Sequence, residues 1–206
     1  MVAMERGDLL LADALTQSAV TQYRTSVADF RAYSEAYPEE ALGYDSHALA
    51  LLRLGDAEHA WGDDPRRSYR EAIISLGEVL KRAGPSADPY RNRGIAYAAV
   101  GRAAQSLCAD AQQEFERAAE DFERAIIANP EDADARYCVA EVYAALLSFD
   151  SASSEHASRM RSRTIVHVRR AVELGWVSKG QLASNPNFRP LQADPEWMEF
   201  LRDAGE

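Results

Sequence analysis

Residues 87–132 read ADPYRNRGIAYAAVGRAAQSLCADAQQEFERAAEDFERAIIANPED, and the same pattern recurs, loosened, on either side. A shift of 46 residues keeps like residues in like places: Ala48, Gly94 and Ala140 are small, and Leu51, Tyr97 and Tyr143 are bulky. Leu54, Val100 and Leu146 follow in register, as do Leu76, Phe122 and Val168. Repetition at a fixed period of this size implies stacked supersecondary units, each burying an apolar face against the next.

Apolar residues three and four apart run throughout the chain, while alternation of the strand type is nearly absent, so the units read as helical. Asp64-Pro65, Asp88-Pro89 and Asp194-Pro195 each set a capping acceptor before a proline suited to a first helical turn. Pro38 and Pro130 punctuate helix ends. These signals divide the chain into a partial unit over 1–40, full units at 41–86, 87–132 and 133–178, and a closing segment over 179–206. First helices are expected at 41–54, 88–100 and 133–148, and second helices at 65–82, 103–128 and 154–174, with a related one at 17–37.

The middle unit carries Gly94-x-x-Tyr97 and then Ala118-x-x-x-Phe122-x-x-Ala125-x-x-x-x-Pro130, which resembles the tetratricopeptide repeat signature. The neighbours offer Ala48, Leu51, Ala72, Leu76 and Val79, and Ala140, Tyr143, Thr164, Val168 and Ala171, in the same places. Ser26, Phe30, Tyr33 and Pro38 repeat only the second half. The resemblance implies an all-α fold: an α-solenoid of antiparallel helix pairs wound as a right-handed superhelix. Asn185-Pro186-Asn187-Phe188, Leu191, Trp197, Phe200 and Leu201 resemble the segment that closes such arrays. On that reading the array ends with this chain, while the residues before Leu15 leave room for a longer parent upstream.

The usual repeat is about 34 residues, so each unit here carries roughly twelve more. Gly55 and Gly101 read as the turns after the first helices. Leu107, Ala111, Phe115, Ala118, Phe122 and Ile126 form one apolar stripe, which puts the extra length at the head of the second helices. Tyr23, Tyr69 and Phe115 share the phase of the packing positions and read as core.

Composition narrows the function. The net charge of −10, from 23 basic and 33 acidic residues, repels phosphate backbones and anionic lipid, so neither nucleic acid nor membrane is an expected partner. No apolar run is long enough to span a bilayer. Cys108 and Cys138 lack metal or redox spacing and read as buried thiols in a reducing, cytoplasmic setting. His47 reads as a core-edge residue, and His156 and His167 lack the carboxylate a zinc site would add. No nucleophile motif, phosphate loop or catalytic acid pair is present, so neither enzyme activity nor a cofactor is expected.

The family resemblance implies a concave groove lined by the first helices. Carried over by register, the groove residues are Asp45, Leu49, Leu52 and Arg53, then Arg91 and Ile95, then Tyr137 and Glu141, flanked by Leu42, Asp88, Ala98, Asp134 and Ala144. This mixture suits a protein or peptide segment with apolar anchors and some basic character. It also implies that Arg91→Glu with Tyr137→Ala abolishes capture and leaves folding intact. The alternative is a regulatory or scaffolding domain of a larger kinase or peptidase, docking or forming homo-oligomers through lengthened second helices.

Overall fold

The computed structural model describes residues 2–106, 111–149 and 154–202, with side chains from Thr16 onward except that of Ser106. Among them there is no strand. The helices are α1 (Val2–Ala36), α2 (Ala41–Trp61), α3 (Arg66–Ala83), α4 (Ala87–Ser106), α5 (Gln112–Ala128), α6 (Ala133–Leu146), α7 (Glu155–Glu173), α8 (Lys179–Ser184) and α9 (Pro195–Arg202), with 3₁₀ turns at Leu147–Phe149 and Pro186–Leu191. Each helix from α1 to α7 packs on the next, and α4 also touches α2 on one side and α6 on the other. The result is a stack of helix pairs with the first helices side by side.

The register of the packing follows the 46-residue period. Ala72, Leu76 and Val79 of α3, Ala118, Phe122 and Ala125 of α5, and Thr164, Val168 and Ala171 of α7 are all buried. Burying a side chain such as Phe122 or Leu76 contributes roughly 1.5–3 kcal/mol. Capping fixes the helix starts. Asp132 Oδ1 accepts from the Ala135 N–H at 2.9 Å, Ser154 Oγ from the Ala157 N–H at 2.9 Å, and Asp194 Oδ1 from the Glu196 N–H at 2.9 Å. Asp88 instead lies inside α4 and pairs with Arg91.

The extra length lies elsewhere than the sequence reading placed it. It extends the first helices, with α2 continuing to Trp61 and α4 to Ser106, while α5 begins only at Gln112. Leu107 lies outside the described residues, and Ala111 stands before α5 instead of inside a continuous second helix. Gly55 and Gly101 are helical and serve as notches. A Cβ on Gly55 would stand 2.6 Å from the Tyr69 ring, and one on Gly101 would stand 3.0 Å from the Phe115 ring. Each glycine lets an aromatic side chain of the second helix press on the first helix's backbone. Gly94 repeats the device one turn-pair earlier, where a Cβ would meet Phe122 at 3.0 Å.

The C-terminal segment closes the stack as expected. Leu182, Phe188, Leu191, Trp197 and Phe200 are buried in one cluster with Ala140, Ala144, Ile165 and Val168. Rings stack through it, with centroids 5.3 Å apart for Phe188–Trp197 and 5.9 Å for Trp197–Phe200. Arg161, which occupies the place of Tyr69 and Phe115, reaches Asp194 at 3.4 Å and so ties α7 to the start of α9.

Candidate partner-binding face

Because α2, α4 and α6 lie side by side, positions 46 apart line up across their common face. Asp45, Arg91 and Tyr137 form one such row, and Leu49, Ile95 and Glu141 form the next. The structure brings these residues to one side of the molecule but gives them different employment.

Asp45 is half-buried, and no described cation reaches it. Burial, then the Asp88 carboxylate, pushes its carboxyl above the usual carboxylate range. Leu49 is 43% exposed, and the exposed Arg53 lies 3.6 Å from Asp56. Arg91 is committed: it reaches Asp88 at 2.9 Å, Asp132 at 2.7 Å and Asp134 at 3.6 Å, joining α4 to the capped start of α6. Burial likewise raises the Asp134 carboxyl. Ile95 is half-buried in the seam between α2 and α4. Leu52, Ala98 and Ala144 are buried, so they belong to the core and offer nothing to a partner. Leu52 is packed into the cluster that also holds Leu51, Leu54, Tyr69 and Ala72.

At α6 the face is already engaged. The Asn185 side-chain amide donates to Tyr137 Oη at 2.6 Å and to Glu141 Oε1 at 3.0 Å, and Asn187 donates to the same Glu141 oxygen at 2.9 Å. The Tyr137 ring meets Phe188 edge-on at 6.0 Å. Burial, with Glu141 nearby, pushes the Tyr137 hydroxyl up to about 12. The expectation that Arg91→Glu with Tyr137→Ala spares folding therefore does not hold. One change sets a like charge among three carboxylates, and the other uncouples the closing segment.

Beside this clasp lies a feature that register alone did not reveal, a cleft of ≈ 290 Å³ between α4, α6 and the Pro186–Leu191 turn. Val142, Ala145 and Pro190 give it apolar walls, and Arg102, Arg189 and Glu141 bring charge to it. Its sequence signal was the Asn-Pro-Asn run, in which Asn185 Oδ1 caps the turn by accepting from the Asn187 N–H at 2.9 Å. That geometry aims both amides at α6.

Other chemistry is structural. His47 is buried, with Nδ1 2.9 Å from Ser75 Oγ, and burial lowers its pKa. Cys138 is a free thiol whose pKa burial raises. Among the described residues no group of three or more His, Cys, Asp or Glu could hold a metal ion, and no helix is long and apolar enough to cross a membrane. Tyr69 and Phe115 are core, as their phase implied, and Tyr23 is half-buried against the same cluster as Tyr69 while also lining an open cleft between α1 and α2.

The chain is a helical-repeat protein, all-α and built of consecutively packed helix pairs. No protein-family model matches it, and no curated protein does. Among solved structures it is similar to the crystal structure of MamA protein, with 18% identity over 79% of this chain and 91% of that one, at a TM-score of 0.24. A superposition that loose says nothing of what this chain binds.

Proposed function

We propose that this protein is a tetratricopeptide-like interaction module, with a partial unit over 1–40, units at 41–86, 87–132 and 133–178, and a cap over 179–206. It holds a protein segment along the face of α2, α4 and α6 and has no catalytic role. A reducing compartment such as the cytoplasm suits the free Cys138 thiol. The observation that carries the reading is Asp45, a half-buried carboxylate that no described cation pairs with, while its neighbour Asp88 is held by Arg91. A basic side chain from a partner, flanked by an apolar anchor on Leu49, would offset the cost of keeping that carboxylate charged where it is half-buried. Docking through lengthened second helices has lost its basis, because the added length belongs to α2 and α4.

The test is affinity capture followed by mass spectrometry with wild type and Asp45→Lys, at about 50 and 300 mM salt, a range over which screening of exposed charges rises steeply. The expected result is a set of proteins held by wild type at low salt, weakened at high salt and lost with Asp45→Lys. Equal capture by the two proteins would overturn the groove assignment.

A further inference from the structure

The 46-residue register exposes a place where the stack is unfilled. Tyr23, Ser26, Phe30 and Tyr33 of α1 occupy the positions of Tyr69, Ala72, Leu76 and Val79 of α3, and of Phe115, Ala118, Phe122 and Ala125 of α5. On α3 and α5 these residues are between 0% and 5% exposed, because the first helix of the same pair lies over them. On α1, Phe30 and Tyr33 are each 38% exposed. The second wall behaves alike. Ala96 and Ala99 of α4 are buried, with Ile95 half-buried, in the cluster they share with α2. Their equivalents on α2 are Leu49, 43% exposed, the exposed Arg53, and Ala50, which stays buried. Between the two walls runs an apolar cleft of ≈ 260 Å³ lined by Tyr23, Ser26, Phe30, Leu49, Ala50 and Arg53.

The filled copies of this site show what chemistry it takes. Each is covered by a helix lying antiparallel to the second helix, with a small residue where the ring or leucine presses in. The sequences are Ala48-x-x-Leu51-x-x-Leu54-Gly55 and Gly94-x-x-Tyr97-x-x-Val100-Gly101. The notches are tight, with Phe122 3.0 Å from a Cβ on Gly94, and Tyr69 2.6 Å from one on Gly55. Phe30 and Tyr23 stand where Phe122 and Tyr69 stand, so they ask for the same two notches.

We infer that the α1–α2 face is a docking site for one amphipathic helix of a partner protein, of pattern small-x-x-bulky-x-x-bulky-Gly, laid antiparallel to α1. It is a second contact surface on the α1 side of α2: Leu49 and Arg53 border both it and the face of Asp45, Phe30 belongs to it alone, and it rests on the repeat register and this cleft, not on the groove reading.

The probe is a synthetic, end-blocked peptide of residues 41–61, titrated against the full chain by fluorescence anisotropy. A helix that must order on binding should dissociate at ~10–100 μM. Phe30→Asp should weaken it by at least ~10-fold, with unchanged circular dichroism, and Leu49→Asp, on the other wall, should do the same. A control peptide with Ala48→Leu and Gly55→Leu should lose binding comparably, since it removes both notches while adding apolar surface. Equal binding of the two peptides, or unchanged binding by both protein variants, would overturn the proposal. So would the absence of binding at ~1 mM, which would mean the chain covers this face itself. Sedimentation at the same concentrations adds one more adverse outcome. A dimer that Phe30→Asp dissociates would make a second copy the occupant.

Discussion

The two ends of the stack solve the same problem differently. At the C-terminal end Phe188, Trp197 and Phe200 are no more than 3% exposed, folded over α6 and α7 by a segment outside the repeat. At the N-terminal end Phe30, Tyr33, Leu42 and Leu49 are between 38% and 65% exposed on α1 and α2. A repeat array needs an element that is apolar inward and polar outward at each terminus. Here Leu182, Phe188, Leu191, Trp197 and Phe200 supply such a covering for α6 and α7, while the described residues of α1 and α2 leave Phe30 and Leu49 exposed. The same residue types therefore hold the fold together at one end and remain available at the other.

The largest expected effect sharpens that contrast. Trp197→Ala should destabilise the protein by about 3–5 kcal/mol, as emptying a filled aromatic site does, whereas Phe30→Ala should cost about 1 kcal/mol or less. Chemical denaturation of the two variants checks this, and equal losses would mean that the N-terminal face is covered. Next come the glycine notches. Gly55→Leu should destabilise by about 1–3 kcal/mol because a side chain there meets the Tyr69 ring. Gly77→Ala, with nothing nearer than Arg93 at 3.9 Å, should instead stabilise by about 0.5–1 kcal/mol through helix propensity. Thermal melts of both would break the account if the signs came out alike.

Two carboxylates, one toward each end, carry opposite pH signatures. Glu123 accepts from Tyr143 Oη at 2.6 Å and lies 3.3 Å from His167 Nε2; the bond from His167, then that from Tyr143, holds its pKa down to about 2. A depressed carboxyl contributes stability that is present above its unfolded pKa and is lost as the pH falls toward the folded one. Glu123→Gln should therefore lower the melting temperature by a few degrees at pH 7, with the gap closing between about pH 4.5 and 2. Asp45 is raised, so its ionised form costs stability above its folded pKa, and that cost fades on acidification. Asp45→Asn should leave the pH 7 melt unchanged or slightly higher, the smallest effect of the set, and any gain should shrink at low pH.

Much of the fold could be read in the sequence because packing between paired helices repeats at the period of the chain. Ala72, Phe122 and Val168 are buried where the register put them. The helix lengths could not be read the same way. An isolated glycine after a helical pattern looks like a terminus, and only the distant rings of Tyr69 and Phe115 explain why Gly55 and Gly101 are helical. The candidate face was legible as a row and not as a chemistry. Register aligned Asp45, Arg91 and Tyr137, but Arg91 is drawn off by Asp132 and Tyr137 by Asn185, both contacts across about 40 residues or more that no local pattern encodes. The closing segment was recognised as a cap, yet its hold on Glu141 depends on the turn geometry of Asn185.

Hydrogen exchange across the full chain tests the central contrast most directly, because amide protection reports how each helix is held. Protection should be lowest in α1, rise through α2 and α3, and stay high from α4 to α7 under the closing segment. Protection in α1 equal to that in α5 would contradict an open N-terminal end.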